Sequence, residues 1–389
     1  MKKAAALRLT TSQFILLGFL TVILAGSVLL VLPISAADGN SVPYIDALFT
    51  ATTATCVTGL VTVPTFSTWS TFGQVVILLL IQIGGLGVVT ILSSMMMLLH
   101  RRIGISTRLL IQDAFNLNTL SGLVRFVRKV LFGTFAVEGV GALAYMAVFV
   151  PQLGTRGIWI SVFNSVSAFC NAGIDILADN SLCAYALDPV VNIVTCCLIV
   201  LGGIGYIVWW DVLRVLGQKK RCTRRHFWKH LTLQSKLAIY MTLLLIFGGA
   251  ALILAFEFNN PLTLGGMTLP QKLQAALFQS VTTRTAGFAT VPQQSLTNGA
   301  ALVSLLLMFI GGSPSGTAGG IKTVTAAILA ATAVSLIKGR DDVNLFHRRL
   351  SEQAIRKAVA VSVTSFAIAL LSTVALAAVT DAPALDLLF

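Results

Sequence analysis

Residues 51–60 read ATTATCVTGL, residues 167–174 read SAFCNAGI and residues 282–288 read TTRTAGF. Each run carries one glycine near its end: Gly59, Gly173 and Gly287, with both intervals equal to 114 residues. A phenylalanine stands ahead of each, at Phe49, Phe163 and Phe278. The segments that hold them, 43–62, 156–176 and 270–291, are too short and too polar to cross a bilayer. They suit a half-helix that enters the membrane and returns as a loop. Glycine permits the positive φ that an ion-coordinating backbone requires, and the carbonyl end of a short helix favours a cation. One such loop could be a glycine-capped surface turn. Three at equal spacing, each between two apolar spans, argue for a pore whose backbone carbonyls replace an ion's water.

The flanks agree. The chain has 389 residues, 56% hydrophobic and 11% charged, less than half the charged content, about 25%, of a soluble domain. Seven segments are long and apolar enough to span: 13–35, 71–99, 130–151, 188–214, 233–256, 299–337 and 355–380. The run after MKKAAALRLTTSQ reads as a retained first helix rather than a cleaved signal peptide. With the N-terminus in the cytoplasm, the basic clusters fall inside: Lys2/Lys3/Arg8, Arg101/Arg102/Arg108, Arg125/Arg128/Lys129, Arg214–Lys236 and Lys338–Lys357. Only Arg156, Lys272 and Arg284 are expected outside, and Lys322 within the sixth span. The net charge of +13 therefore reports membrane topology and not nucleic-acid binding. Asp38, Asp46, Asp175, Asp179, Asp188 and Glu257 fall on the outer side. They would form either a cation-concentrating vestibule or ordinary solvated loops.

The expected fold is all-α integral membrane, built from tandem span–loop–span repeats around a central pore. The repeats divide as 1–110, 111–225, 226–340 and a partial fourth, 341–389. The spacing would put a fourth glycine at about 401, and Leu385–Phe389 matches Ile45–Phe49 in residue type. A truncated fourth repeat, lacking its loop and second span, is the expectation.

Other chemistries are excluded by placement. The six cysteines (Cys56, Cys170, Cys183, Cys196, Cys197, Cys222) show no disulfide or zinc spacing. His100, His226, His230 and His347 lie in basic loops without a carboxylate to complete a metal site. No paired residues suit an intramembrane enzyme. Residues 316–323 nearly match a phosphate loop, but Ile321 separates glycine from lysine and no strand precedes. Ile83–Gly87 and Leu201–Gly205 resemble dinucleotide loops yet sit inside apolar runs, where close helix packing accounts for them. The sixth span is different. Gly311, Gly312, Ser313, Pro314, Ser315, Gly316, Thr317, Ala318, Gly319 and Gly320 cannot hold a helix, so this backbone must be buried or line water. Lys322 follows; it would repel an ion in transit or snorkel to the cytosol.

These loops, together with LLIQIGGLG (79–87), LLIQDAFN (109–116) and GGSPSGTAGGIKT (311–323), resemble the potassium-translocating subunit of the bacterial Ktr/Trk potassium uptake systems. The likeness runs from about residue 10 to the last residue. Arg284 and the absence of extra spans before the first unit resemble the Ktr branch. The resemblance implies potassium uptake across the bacterial cytoplasmic membrane, with potassium as substrate and sodium as a coupling or activating ion. No covalent cofactor is implied. It also implies a homodimer on a cytosolic ring of nucleotide-binding regulatory subunits. The expected ion-binding residues are Thr55, Cys56, Val57, Thr58 and Gly59; Cys170, Asn171, Ala172 and Gly173; and Thr285, Ala286 and Gly287. The expected gate is 311–320 with Lys322. The rival reading is a secondary transporter of another cation or small solute. It would require inverted repeats around a midplane site, whereas these repeats are parallel.

Overall fold

The computed structural model describes residues 10–98, 109–112, 122–178, 180–217, 227–340, 342–346 and 348–389. The basic stretches at 99–108 and 218–226, the cluster Lys2/Lys3/Arg8, and Cys222, His100, His226, His347 and Asp179 lie outside these. The chain divides into two compact units, Met1–Asp179 and Asn180–Phe389.

In the first unit, α1 (Thr11–Val31) opens with a capping box in which Thr10 and Gln13 satisfy each other's backbone N–H. The short helix α2 (Tyr44–Cys56) follows, with Asp46 in its first turn, where the helix dipole favours an anion. A single helical turn, α3 (Thr65–Thr68), leads to α4 (Thr71–Leu86), capped by the Ser70 hydroxyl. α5 (Val88–Leu98) continues the apolar run at 99° to α4. α6 (Leu123–Leu153) is the longest helix described, at 31 residues, and turns directly into α7 (Thr155–Cys170). That corner is tight because Gly157 packs against the Phe149 carbonyl, where a Cβ would overlap it. Tyr145 and Phe149 stack at 5.4 Å beneath it, both fully buried.

In the second unit, α8 (Pro189–Gly203) is capped by Asp188, which accepts from the N–H groups of Val190 and Val191. α9 (Tyr206–Gly217) lies at 96° to it. After α10 (Phe227–His230) comes α11 (Leu233–Glu257), then α12 (Leu269–Thr282), which starts in a Thr268–Gln271 capping box. α13 (Asn298–Phe309) and α14 (Thr323–Ile337) flank the glycine-rich segment. A two-residue hairpin, β1 (Asn344–Leu345) with β2 (Arg348–Arg349), precedes α15 (Glu352–Ala377) and the short α16 (Ala384–Leu388). Ile253, Leu264, Ala275, Ala276, Val303 and Leu307 form an apolar core on which α12 rests.

Among the described residues, four single helices, α1, α6, α11 and α15, are long and apolar enough to cross a membrane. The bent pairs α4/α5 and α8/α9 bring the number to six, and α13 and α14 are shorter apolar helices. Two expectations need correction. Segments 71–99 and 188–214 are not continuous helices, although each bent pair is long and apolar enough to count as one broken span. Each breaks at a glycine in a left-handed conformation, Gly87 (φ 82°) and Gly205 (φ 92°), which a right-handed helix cannot pass through. Close packing accounts for only part of GGLG and GGIG. Gly84 and Gly85 do pack tightly, since a Cβ at Gly85 would lie 2.5 Å from Cys170 Sγ. The last glycine of each run marks the bend.

Candidate functional site

All three glycine loops leave the buried carboxyl end of a short helix: α2, α7 and α12. Gly59, Gly173 and Gly287 have φ of 87°, 67° and 93°. Two residues ahead of each stands a second left-handed residue: Val57 (55°), Asn171 (60°) and Thr285 (66°). Neither valine nor threonine, both β-branched, adopts such an angle without strain, and strain of this kind concentrates at functional sites. Val57, Asn171 and Thr285 stand among the expected ion-binding residues, but their left-handed conformation is not signalled by the sequence. Three different side chains share one backbone state, so no residue type gives it away.

The alternation matters chemically. In an ordinary extended strand successive carbonyls point to opposite sides. Alternating the sign of φ turns peptide planes over, so neighbouring carbonyls can face one way. Among the described residues, the carbonyls of Val57, Thr58 and Gly59, of Ala172 and Gly173, and of Thr285, Ala286 and Gly287 accept no hydrogen bond. Just past the glycine the backbone is pinned: Ser167 Oγ donates to Ile174 O (2.5 Å) and Thr282 Oγ1 to Phe288 O (2.6 Å). Loops one and two touch, because a Cβ on Gly59 would lie 2.7 Å from Ala172 O.

The segment 311–320 is the opposite of an unpaired loop. It fills the break between α8 and α9, where a helix end leaves carbonyls without partners. Ser313 N–H donates to Gly203 O (2.8 Å), Thr317 N–H to Gly202 O (3.1 Å) and Tyr206 N–H to Ser315 O (3.0 Å). Within the segment Gly312 N–H meets Gly319 O (3.3 Å), and the Ser313 and Thr323 hydroxyls meet at 2.8 Å. Lys322 turns back to donate to Ala318 O (2.6 Å). Its ammonium group thus lies against a carbonyl of the segment.

The third glycine loop is tied to this segment at two points. Arg284 NH2 donates to Gly311 O (3.1 Å), and Gly319 N–H donates to Thr285 Oγ1 (2.9 Å). Arg284, counted above among the outer cations, is buried at 7% exposure. Lys272, counted with it, is also buried, donating to Phe258 O (2.6 Å). Glu257 does not line an open vestibule. It is buried and accepts from Asn260 Nδ2, Thr263 Oγ1, and Thr297 N–H and Oγ1, fastening the end of α11 to the cap of α13.

One more charged residue escaped the sequence reading. Glu138 sits at the centre of α6, buried, with Gln82 Nε2 at 3.1 Å and Cys170 Sγ at 3.9 Å from Oε1. An acid in mid-span is a functional hypothesis by default, and that signal was present.

Residues 9–384 match the model of a family described as TrkH, a cation transport protein. The chain is similar to the potassium/sodium uptake protein NtpJ of Enterococcus hirae, 39% identical over 92% of this chain and 77% of that protein. It is similar to the same degree to the Ktr system potassium uptake protein B of Bacillus subtilis, 39% identical over 98% of this chain and 83% of that one. The crystal structure of the potassium transporter TrkH from Vibrio parahaemolyticus shares the fold, with a TM-score of 0.71 at 16% identity, covering 97% of this chain and 74% of that one. With its membrane-spanning helices and this family, the chain is a multi-pass membrane transport protein and not an enzyme. Matched by the family model over nearly its whole length, the chain belongs to the TrkH family of cation transport proteins.

Proposed function

We propose that this chain is the potassium-translocating membrane subunit of a bacterial potassium uptake system, selecting the ion with backbone carbonyls at Thr55–Gly59, Cys170–Gly173 and Thr285–Gly287. The observation that carries the reading is the repeated pair of left-handed residues, Val57/Gly59, Asn171/Gly173 and Thr285/Gly287. It supports a coordinating backbone because it recurs on three different sequences and leaves carbonyls without hydrogen bonds. Relatives named for potassium uptake support the choice of ion. The segment 311–320 is the gate in this reading. Its bonds to Thr285 and Arg284 would let its position bear on the third loop.

The membrane potential, about 2.3 kcal/mol per charge per 100 mV, drives entry. The proposal includes a cytoplasmic N-terminus in the bacterial cytoplasmic membrane, a homodimer, and a cytosolic ring of nucleotide-binding regulatory subunits. Sodium enters as a coupling or activating ion, tested by rubidium uptake with and without external sodium. The full-length transporter should restore growth of a potassium-uptake-deficient bacterium on low potassium, with rubidium uptake competed by potassium and indifferent to organic solutes. Uptake of an organic solute that is unaffected by potassium would overturn the reading.

A further inference from the structure

Glu138 has no part in the scheme above, yet it is 4% exposed at the centre of a 31-residue span. Among the described residues no basic side chain pairs with it. Both groups facing it are donors. Gln82 Nε2 from α4 lies 3.1 Å from Oε1 and 3.4 Å from Oε2, and the Cys170 thiol of α7 lies 3.9 Å from Oε1. A carboxylate offers about four lone-pair sites, and one amide and one weak thiol donor leave it underfilled. A buried carboxylate so placed is costly unless it takes a proton or a cation is near.

The position is tied to the second loop. Cys170 is the last residue of α7 and opens that loop. Ser165 Oγ, on the same helix, donates to the Glu138 backbone carbonyl (2.6 Å). The third repeat makes the same helix-to-span bond with a different outcome. There Ser280, two residues after Phe278 as Ser165 is two after Phe163, donates to Ile246 O (2.8 Å). The place of the acid is taken by isoleucine, so holding the short helix against its span does not require a charge.

We propose that Glu138 is the buried counter-charge of the cation at the second loop, a specificity-determining residue that raises cation affinity from behind the loop without coordinating the ion. The inference rests on the assignment of 170–173 as part of the ion path. Glu138→Gln keeps shape and hydrogen bonding and removes the charge; Glu138→Asp keeps the charge. Rubidium uptake by the full-length transporter, normalised to membrane abundance, should show KM raised about tenfold in Glu138→Gln with maximal rate within about twofold, since a charge in contact with the first residue of the loop, in a low dielectric, acts strongly on a cation there. Glu138→Asp should stay within about threefold of the parent KM. A parental KM in Glu138→Gln, while Gly173→Ser assayed beside it still alters potassium preference, overturns the counter-charge and leaves the filter standing. Unaltered preference in Gly173→Ser counts against the filter itself. If Glu138→Gln does not reach the membrane, Glu138→Asp decides, and a tenfold rise in its KM despite the retained charge overturns the proposal.

Discussion

The second and third glycine loops have the same backbone and opposite supports. Loop two has Asn171 and Gly173 in left-handed conformations and a buried carboxylate, Glu138, behind its first residue. Loop three has Thr285 and Gly287 in the same conformations and a buried guanidinium, Arg284, whose bond leads away to Gly311. The backbone is what the repeats hold in common, and the side chains around it have diverged. One loop is braced against its own span, and the other is fastened to the glycine-rich segment 311–320. Under the proposed function, the shared conformation would serve selectivity and the differing support would serve regulation.

The largest expected effect comes from breaking the shared part. At φ 67° a side chain on Gly173 is strained by about 1–2 kcal/mol. Gly173→Ser and Gly287→Ser should each lower the preference for potassium over sodium by about tenfold, the discrimination that about 1.4 kcal/mol supplies. Rubidium uptake competed by sodium measures it. Equal losses at both glycines would support the common backbone; a loss at only one would end the idea that the loops contribute alike.

Breaking the unshared part should act on gating instead. Arg284→Gln removes the charge that holds Gly311 O, and Thr285→Val removes the acceptor for Gly319 N–H. Each should raise rubidium flux several-fold in cells lacking the regulatory subunit, because a charge-assisted hydrogen bond contributes about 1.5–3 kcal/mol and a neutral one about 1. Deleting several residues within 311–320 should do the same. Variants that reach the membrane with unchanged or lower flux would make the segment a structural kink rather than a gate.

Much of this architecture was legible in the sequence, and the omissions have physical reasons. Spans and loops show because bilayer crossing needs apolar length and glycine spacing repeats. The bends at Gly87 and Gly205 do not show, because hydropathy runs on through Val88 and Ile207 and a change of direction leaves it unaltered. Val57 and Thr285 were invisible as left-handed residues because tertiary packing, not local preference, imposes that angle. The burial of Arg284 and Lys272 did not show either, because charge counting sorts residues by side of the membrane but cannot tell a solvated cation from one that folds back onto carbonyls. Glu138 was overlooked as one acid in a long apolar helix, although depth alone should have raised it.

The smallest expected effect separates backbone angle from packing at the two span breaks. Gly87 and Gly205 have φ of 82° and 92°, so a Cβ is strained at either. Around Gly87 a Cβ would meet nothing within 4 Å, whereas at Gly205 it would overlap Pro314 O, the backbone of the segment that fills the break. Gly248, in the middle of α11, has ordinary helical geometry and also meets nothing within 4 Å. Gly87→Ala should therefore cost only the angle, about 1–2 kcal/mol. Gly205→Ala should cost more, because Pro314 must move and the bonds from Ser313 and Thr317 to Gly203 and Gly202 move with it. Gly248→Ala should gain about 0.5–1 kcal/mol from reduced backbone freedom. Apparent melting temperatures of the detergent-solubilised protein should rank Gly248→Ala above the parent, then Gly87→Ala, then Gly205→Ala. Only Gly205→Ala should also raise flux without the regulatory subunit, since it alone disturbs the segment. If Gly87→Ala raises flux equally, the bends themselves and not the seated segment control passage, and the division between a selecting backbone and a regulating support would have to be redrawn.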